Sequence, residues 1–127
     1  MDKQMEALAQ AMAPGRKTVF FGGAGVSTES GIPDFRSAGG IYGRQYAYPP
    51  EVMVSHSFFM AHPDEFYEFY RWEMVWPRAK PNVAHIRLAE LEAEGRVTAV
   101  VTQNIDGLHQ MAGSKNVLEL HGSVLRN

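Results

Sequence analysis

The chain of 127 residues contains no cysteine, which excludes a disulfide framework, a cysteine nucleophile and a thiolate zinc site built from this chain alone. It has no excess of basic charge either. The 12 Lys and Arg stand against 14 Asp and Glu, a formal net charge of -2, so no footprint for nucleic acid or an anionic membrane surface is expected. Apolar runs extend over only a few residues, too short to span a bilayer. The opening Met1-Asp2-Lys3-Gln4 lacks the apolar core of a secretory signal, so a cytoplasmic location is the expectation. Internal repeats and low-complexity segments are absent. What remains is 45% apolar and 20% charged residues, the composition of one ordinary globular core.

Local signals divide the chain into α and β pieces. Asp2 is placed to cap a packing helix with Met5, Leu8, Ala9 and Met12 at helical spacing, ended by Pro14-Gly15. Lys17 to Phe21 reads as a strand, stopped by Gly22-Gly23-Ala24-Gly25. From Ser30 to Pro50 the chain is rich in Gly, Pro and Ser and reads as a long loop, a class that is usually functional when ordered. An aromatic-rich helix is expected between His62 and Trp76, with Pro63 in its first turn and Phe66, Phe69 and Tyr70 sharing a face. Asn82 should cap a further helix, with Ala84, Leu88 and Leu91 as its stripe, His85 in its first turn and Gly95 as its stop. Val97 to Val101, apolar without alternation, suggests a strand buried on both faces of a parallel sheet. A short helical turn near Leu108 to Met111 and a strand over Val117 to Leu120 complete the pattern. The fold expected is α/β: a partial Rossmann-like parallel sheet with helices on both faces and a helical insertion, the sheet being incomplete.

Each strand runs directly into poor strand formers that are good ligand groups. The carboxyl ends of strands in an open α/β sheet share one edge, so Gly23-Ala24-Gly25, Gln103-Asn104-Ile105-Asp106 and His121 should meet in one crevice. The glycines admit a phosphate to the backbone at a helix start near Val26 or Ser27, or they form a tight turn only, since the third glycine of the dinucleotide fingerprint is missing. Asn104 and Asp106 have the donors and acceptors to bind a carboxamide, or they shape an Asx turn. His121 is a general-base candidate or a structural histidine, and His56, His62, His85 and His109 have no metal-site spacing. Phe35-Arg36 puts an aromatic plane and a permanent cation in the long loop, for ligand shielding and phosphate pairing or for structure alone.

Taken together, Gly23-Ala24-Gly25-Val26-Ser27, Ser30-Gly31-Ile32-Pro33-Asp34-Phe35-Arg36, Thr102-Gln103-Asn104-Ile105-Asp106-Gly107-Leu108-His109 and His121-Gly122 closely resemble sirtuins, the NAD-dependent protein lysine deacylases. Lys80-Pro81-Asn82-Val83-Ala84-His85 resembles the family's helix start, and the likeness runs from the first helix to the last residue. The resemblance implies Rossmann-like elements over about 1–30 and 81–127, with a cofactor-binding loop and helical segment over about 31–80. It implies an NAD site using Gly23, Ala24, Gly25, Ser27, Asp34, Phe35 and Arg36, with Gln103, Asn104, Ile105 and Asp106 around nicotinamide and its ribose. His121 and Asn104 form the implied catalytic set. In the chemistry implied, the acyl-lysine carbonyl oxygen attacks the ribose carbon as nicotinamide leaves, His121 acts as base on a ribose hydroxyl, and O-acyl-ADP-ribose results. The loop from Gly31 to Tyr46 would order around NAD.

Sirtuins that favour acidic acyl groups resemble one another in a Tyr followed three residues later by Arg. Here Tyr67 is followed by Tyr70, and Arg71 lies roughly 100 degrees further around an α-helix, which points to acetyl or other uncharged acyl groups. The family's zinc is expected, but its cysteine ligands are absent from this chain, as are the strands completing the sheet, the adenosine-holding residues and the segment that pairs with substrate peptide. Three readings therefore stand: a deacylase acting on acyl-lysine protein, a silent fragment that oligomerises through an exposed sheet edge, and another NAD consumer of the ADP-ribosyl-transfer kind.

Overall fold

A computed structural model describes residues 2–126. Its centre is a parallel sheet of three strands, β1 (Val19–Gly22), β2 (Ala99–Thr102) and β3 (Val117–Glu119), in the order β1-β2-β3. Val19 lies opposite Ala99 and Gly22 opposite Thr102, while Val100 lies opposite Val117 and Thr102 opposite Glu119. β1 and β2 sit one or two residues later than expected, because Gly22 and Thr102 pair with each other and so belong to the ladder. That pairing carries both strands up to the ligand-bearing residues.

The central strand is buried, with Val100 wholly inaccessible, as its unbroken apolar run requires. On one face of the sheet Phe20, Val100 and Val117 pack with Leu88, Leu91, Val97 and Met12. Leu88 and Leu91 come from α5 (Val83–Ala93), which packs on α6 (Leu108–Ala112). The register puts Val19, Phe21 and Leu118 on the opposite face, and these are 54%, 61% and 52% exposed. On the central strand of that face Ala99 is buried and Val101 half-buried, so among the described residues the face stays open at its outer strands. The first helix, α1 (Lys3–Ala11), is capped by Asp2, which accepts a hydrogen bond from the Gln4 N–H at 3.2 Å. The helix itself buries no side chain, and Met5 and Leu8 face solvent; of the expected stripe only Met12, at its C-terminal cap, packs on the core.

The stretch between β1 and α5 is more helical than its Gly and Pro content suggests. A 3-10 helix covers Ala24–Ser30 and ends at Gly31, whose φ of 85° suits a residue without Cβ. After a 3-10 turn at Ile41–Gly43 come α2 (Pro50–Met53), α3 (His56–Ala61) and α4 (Pro63–Phe69). The helix expected to run to Trp76 is α-helical only through Phe69; a π turn, Tyr70–Met74, takes over. Tyr70, at the junction, keeps α-helical dihedrals of φ -55° and ψ -47°. Ile41, Met53, Phe58 and Phe69 form a second core, with Phe35, Tyr42, Tyr46, Phe66 and Met74 packed against it.

Candidate functional site

A cavity of about 810 Å³ opens at the carboxyl edge of the sheet, between the two cores. Ala24 and Ser27 from the 3-10 helix, Asp34, Phe35 and Arg36 from the loop, Gln103 to Asp106 after β2, and His121 after β3 all line it. The crevice expected from strand ends thus exists. Gly23 and Gly25 stand beside it without lining it, and Tyr67 and Tyr70 are not on its wall. Tyr67 instead contacts Tyr70 edge-on at 6.5 Å and is half exposed. The two tyrosines belong to the helical segment's surface in this structure, so an acyl-pocket role has no support from the cavity.

Ser27 organises the buried wall. Its Oγ donates to Asp106 Oδ2 at 2.6 Å and accepts from Asn104 Nδ2 at 3.2 Å, and it lies 3.4 Å from His85 Nε2. The His85 Nδ1 atom accepts from the Asn82 backbone N–H at 3.1 Å, so the neutral ring carries its proton on Nε2 and donates it to Ser27. One hydroxyl proton and two lone pairs are all a serine has, and all three are used. Asn82 also donates from Nδ2 to the Val26 carbonyl at 2.7 Å and to Ser30 Oγ at 3.0 Å, fastening the start of α5 to the 3-10 helix. A helix-capping asparagine and a first-turn histidine are therefore parts of the site's frame.

Asn104 and Asp106 are turn-formers that also line the cavity. The Asn104 N–H donates to Thr102 Oγ1 at 3.0 Å, and the Leu108 N–H donates to Asp106 Oδ1 at 2.9 Å. The Asn104 Nδ2 group also donates to the Gly23 carbonyl at 3.0 Å, so both its protons point into the protein. Only its Oδ1 acceptor is left for a ligand, which narrows the expectation that Asn104 supplies donor and acceptor alike. His85 and His109 are almost wholly inaccessible and meet edge-to-face with ring centroids 4.8 Å apart. Burial holds both rings below the ordinary histidine value; for His109 the neighbouring His85 adds to this, and Asp106 opposes it for both. Two neutral imidazoles therefore sit behind the acidic residue.

The loop is shaped by its own contacts. Asp34 Oδ1 accepts from the Ser37 N–H at 3.0 Å and from the Ser37 hydroxyl at 2.5 Å, and the Asp34 carbonyl accepts from the Ile41 N–H at 2.8 Å. Phe35 and Tyr42 pack at 5.5 Å, and the Arg36 guanidinium lies 5.4 Å from the Tyr42 ring centroid. Tyr42, Ser37, Val54 and Met74 also line the cavity, and the candidate residues read from the sequence did not include them. Val54 and Met74 carry no local signal; an aromatic inside a Gly-rich loop was the one available hint of Tyr42. His121 stands exposed on the cavity wall, next to Gly122 with a φ of 78°.

The 3-10 helix begins at Ala24, earlier than the expected Val26 or Ser27, and Gly23 gives it no side-chain cap. Its first backbone N–H groups lack intrahelical partners, and the space at the Gly25 Cα is open to 4 Å, an arrangement that fits a diphosphate. Zinc does not fit. Among the described residues no three His, Cys, Asp or Glu gather as a metal site.

A parallel α/β sheet with a Gly-rich turn, an Asn-Ile-Asp turn and a histidine at consecutive strand ends is a Rossmann-like arrangement, the class in which ligands lie at the carboxyl edge of the strands. The Sir2 family model matches residues 23–127, and the chain belongs to that family. It is 59% identical over 129 residues to an NAD-dependent protein deacetylase of Clostridium perfringens, an alignment covering 100% of this chain and 53% of the relative. A Thermotoga maritima protein of the same description is 54% identical, covering 86% of this chain and 43% of its own. Among solved structures, one described as Sir2 bound to acetylated peptide has a TM-score of 0.78 and 44% identity, over 98% of this chain and 47% of that one. Another, with deacetylated p53 peptide and 3'-O-acetyl ADP ribose, has a TM-score of 0.84 and 49% identity, over 94% and 48%. The chain thus spans about half the length of the curated relatives it matches. No described helix is long and apolar enough to cross a membrane.

Proposed function

We propose that this chain carries the reactive end of an NAD-dependent protein lysine deacylase site, acting on acetyl-lysine or another uncharged acyl-lysine in a protein. The observation that carries the reading is the Ser27-centred network, which holds Asn104 and Asp106 at a cavity that His121 and Phe35 also line. Asp106, the Asn104 carbonyl, Gln103 and Ile105 bind the nicotinamide carboxamide and ribose. The open backbone at Ala24 and Gly25 takes the diphosphate with Arg36, and Asp34 holds the loop turn that presents Phe35 and Arg36. Nicotinamide leaves the ribose carbon as the acyl oxygen bonds to it. His121 then takes a proton from a ribose hydroxyl, that oxygen bonds to the acyl carbon, and addition of water breaks the acyl carbon–nitrogen bond, so that the lysine amine leaves and the acyl group stays on the ribose. Phe35 keeps water from the exposed ribose carbon. The cytoplasm is the compartment we assign.

The open face bearing Val19, Phe21 and Leu118 favours a second statement: these residues alone do not turn over, and further polypeptide must cover that face. Nicotinamide release is the test, measured with and without an acetyl-lysine peptide. Both this chain and its fusion to the second half of the Clostridium perfringens relative would be assayed. Peptide-dependent release by the fusion, with deacetylated peptide formed in equal amount, is the expected result. Release without peptide would replace the deacylase reading with an ADP-ribosyl-transfer or NAD-hydrolysing one.

A further inference from the structure

A second concavity, of about 430 Å³, lies in the helical segment on residues distinct from those lining the sheet-edge cavity. Tyr46, Phe69 and Trp72 are aromatic walls, and every charged side chain that lines it is acidic: Glu65, Glu68 and Glu73. Arg44 reaches Glu73 at 2.9 Å, and His62 stands 3.8 Å from Glu65. Glu68 has no ion pair among the described residues, so the acid outweighs its local cations. The Tyr46 hydroxyl is buried beside the Arg44–Glu73 pair, and burial followed by the Glu73 charge pushes its ionisation up. Trp72 is 69% exposed, a large aromatic surface left to solvent.

Aromatic faces beside carboxylates attract a planar, delocalised cation: the rings take its face and the carboxylates its forked N–H groups. A lysine ammonium satisfies the charge but not the stacking or the fork. We propose that this groove binds an arginine side chain presented by a basic polypeptide partner. The π turn gives Trp72 and Glu73 to the groove and Met74 to the sheet-edge cavity, so the bound partner lies within one turn of the main site.

The test is titration of the chain, without NAD or acyl-lysine, with a short peptide of alternating Arg and Ser, followed by calorimetry. Saturable one-to-one binding is expected, weakened at least about tenfold by Trp72→Ala and by Glu68→Gln, and largely kept by Trp72→Phe. The Lys-Ser peptide should bind more weakly, and Glu90→Gln on α5 should change nothing. Absence of saturable binding, equal affinity in Trp72→Ala and Glu68→Gln, or the same loss in Glu90→Gln would overturn the proposal. So would a dimer seen in sedimentation that Trp72→Ala dissolves while the peptide fails to bind, because a second copy would then own the groove. None of these readouts depends on deacylation.

Discussion

Replacing Ser27 with alanine removes one oxygen and strands three groups. The Asp106 carboxylate loses a donor at 2.6 Å, Asn104 Nδ2 loses one of its two acceptors, and the His85 Nε2–H loses its acceptor at 3.4 Å. A hydrogen bond to a charged group is worth roughly 1.5–3 kcal/mol, and a buried polar group left unpaired costs about 1–3 kcal/mol. The long His85 contact adds little, and Asn104 keeps the Gly23 carbonyl, so the Asp106 bond dominates and the expected loss is about 2–3 kcal/mol. Urea unfolding followed by circular dichroism measures it, with the slope against denaturant unchanged if only stability moves. Thr28→Ala is the internal control: its hydroxyl donates to the Gly25 carbonyl at 3.0 Å on an exposed turn and should cost under about 0.5 kcal/mol. A Ser27→Ala loss no larger than the Thr28→Ala loss would refute the view that Ser27 organises the wall.

Three other outcomes follow from the same geometry. His85 and His109 have pKa values lowered from 6.5 by burial, so the folded state refuses protons that the unfolded state accepts; their stabilisation is complete above about pH 6.5 and is lost as pH falls below it. Unfolding free energy against pH should fall by up to about 1.4 kcal/mol per pH unit for each ring, and His85→Asn with His109→Phe should flatten the curve. Gly40→Ala should unseat the loop, because a Cβ there would stand 2.7 Å from the Asp34 carbonyl oxygen; limited proteolysis should cut near residues 34–42 sooner in the variant. Asn104→Ala in the fusion should weaken nicotinamide exchange more than ADP-ribose binding, read by labelled exchange and calorimetry; equal losses would mean the residue only holds its turn.

Much of the frame was legible because its signals are local. The apolar run Val97 to Val101 encodes a buried central strand, and Asn82 announces the start of α5 and does cap it. The meeting of three strand ends followed from parallel topology alone. What stayed hidden rests on contacts distant in sequence. Ser27 meets His85 across 58 residues and Asp106 across 79, and nothing in the immediate surroundings of His85 separates a cap from a site-framing ring. Ser55, whose Oγ accepts from the Phe58 N–H at 3.2 Å, was a readable cap for α3 that the turn-rich stretch before it masked. The π turn after Phe69 has no propensity signature. Strand ends moved because Gly22, a poor strand residue, is recruited into β1 by its pairing with Thr102 across the sheet.

His121 makes the central claim most directly testable, since it lines the cavity while standing free of the buried network. In the fusion with the relative's second half, ADP-ribose binding by calorimetry and NAD-dependent deacetylation of an acetyl-lysine peptide are measured for wild type and His121→Ala. The account predicts ADP-ribose affinity within about threefold of wild type and a deacetylation rate reduced by at least about 100-fold, as removal of a general base requires. Deacetylation that survives in His121→Ala, or affinity lost in step with turnover, would contradict it.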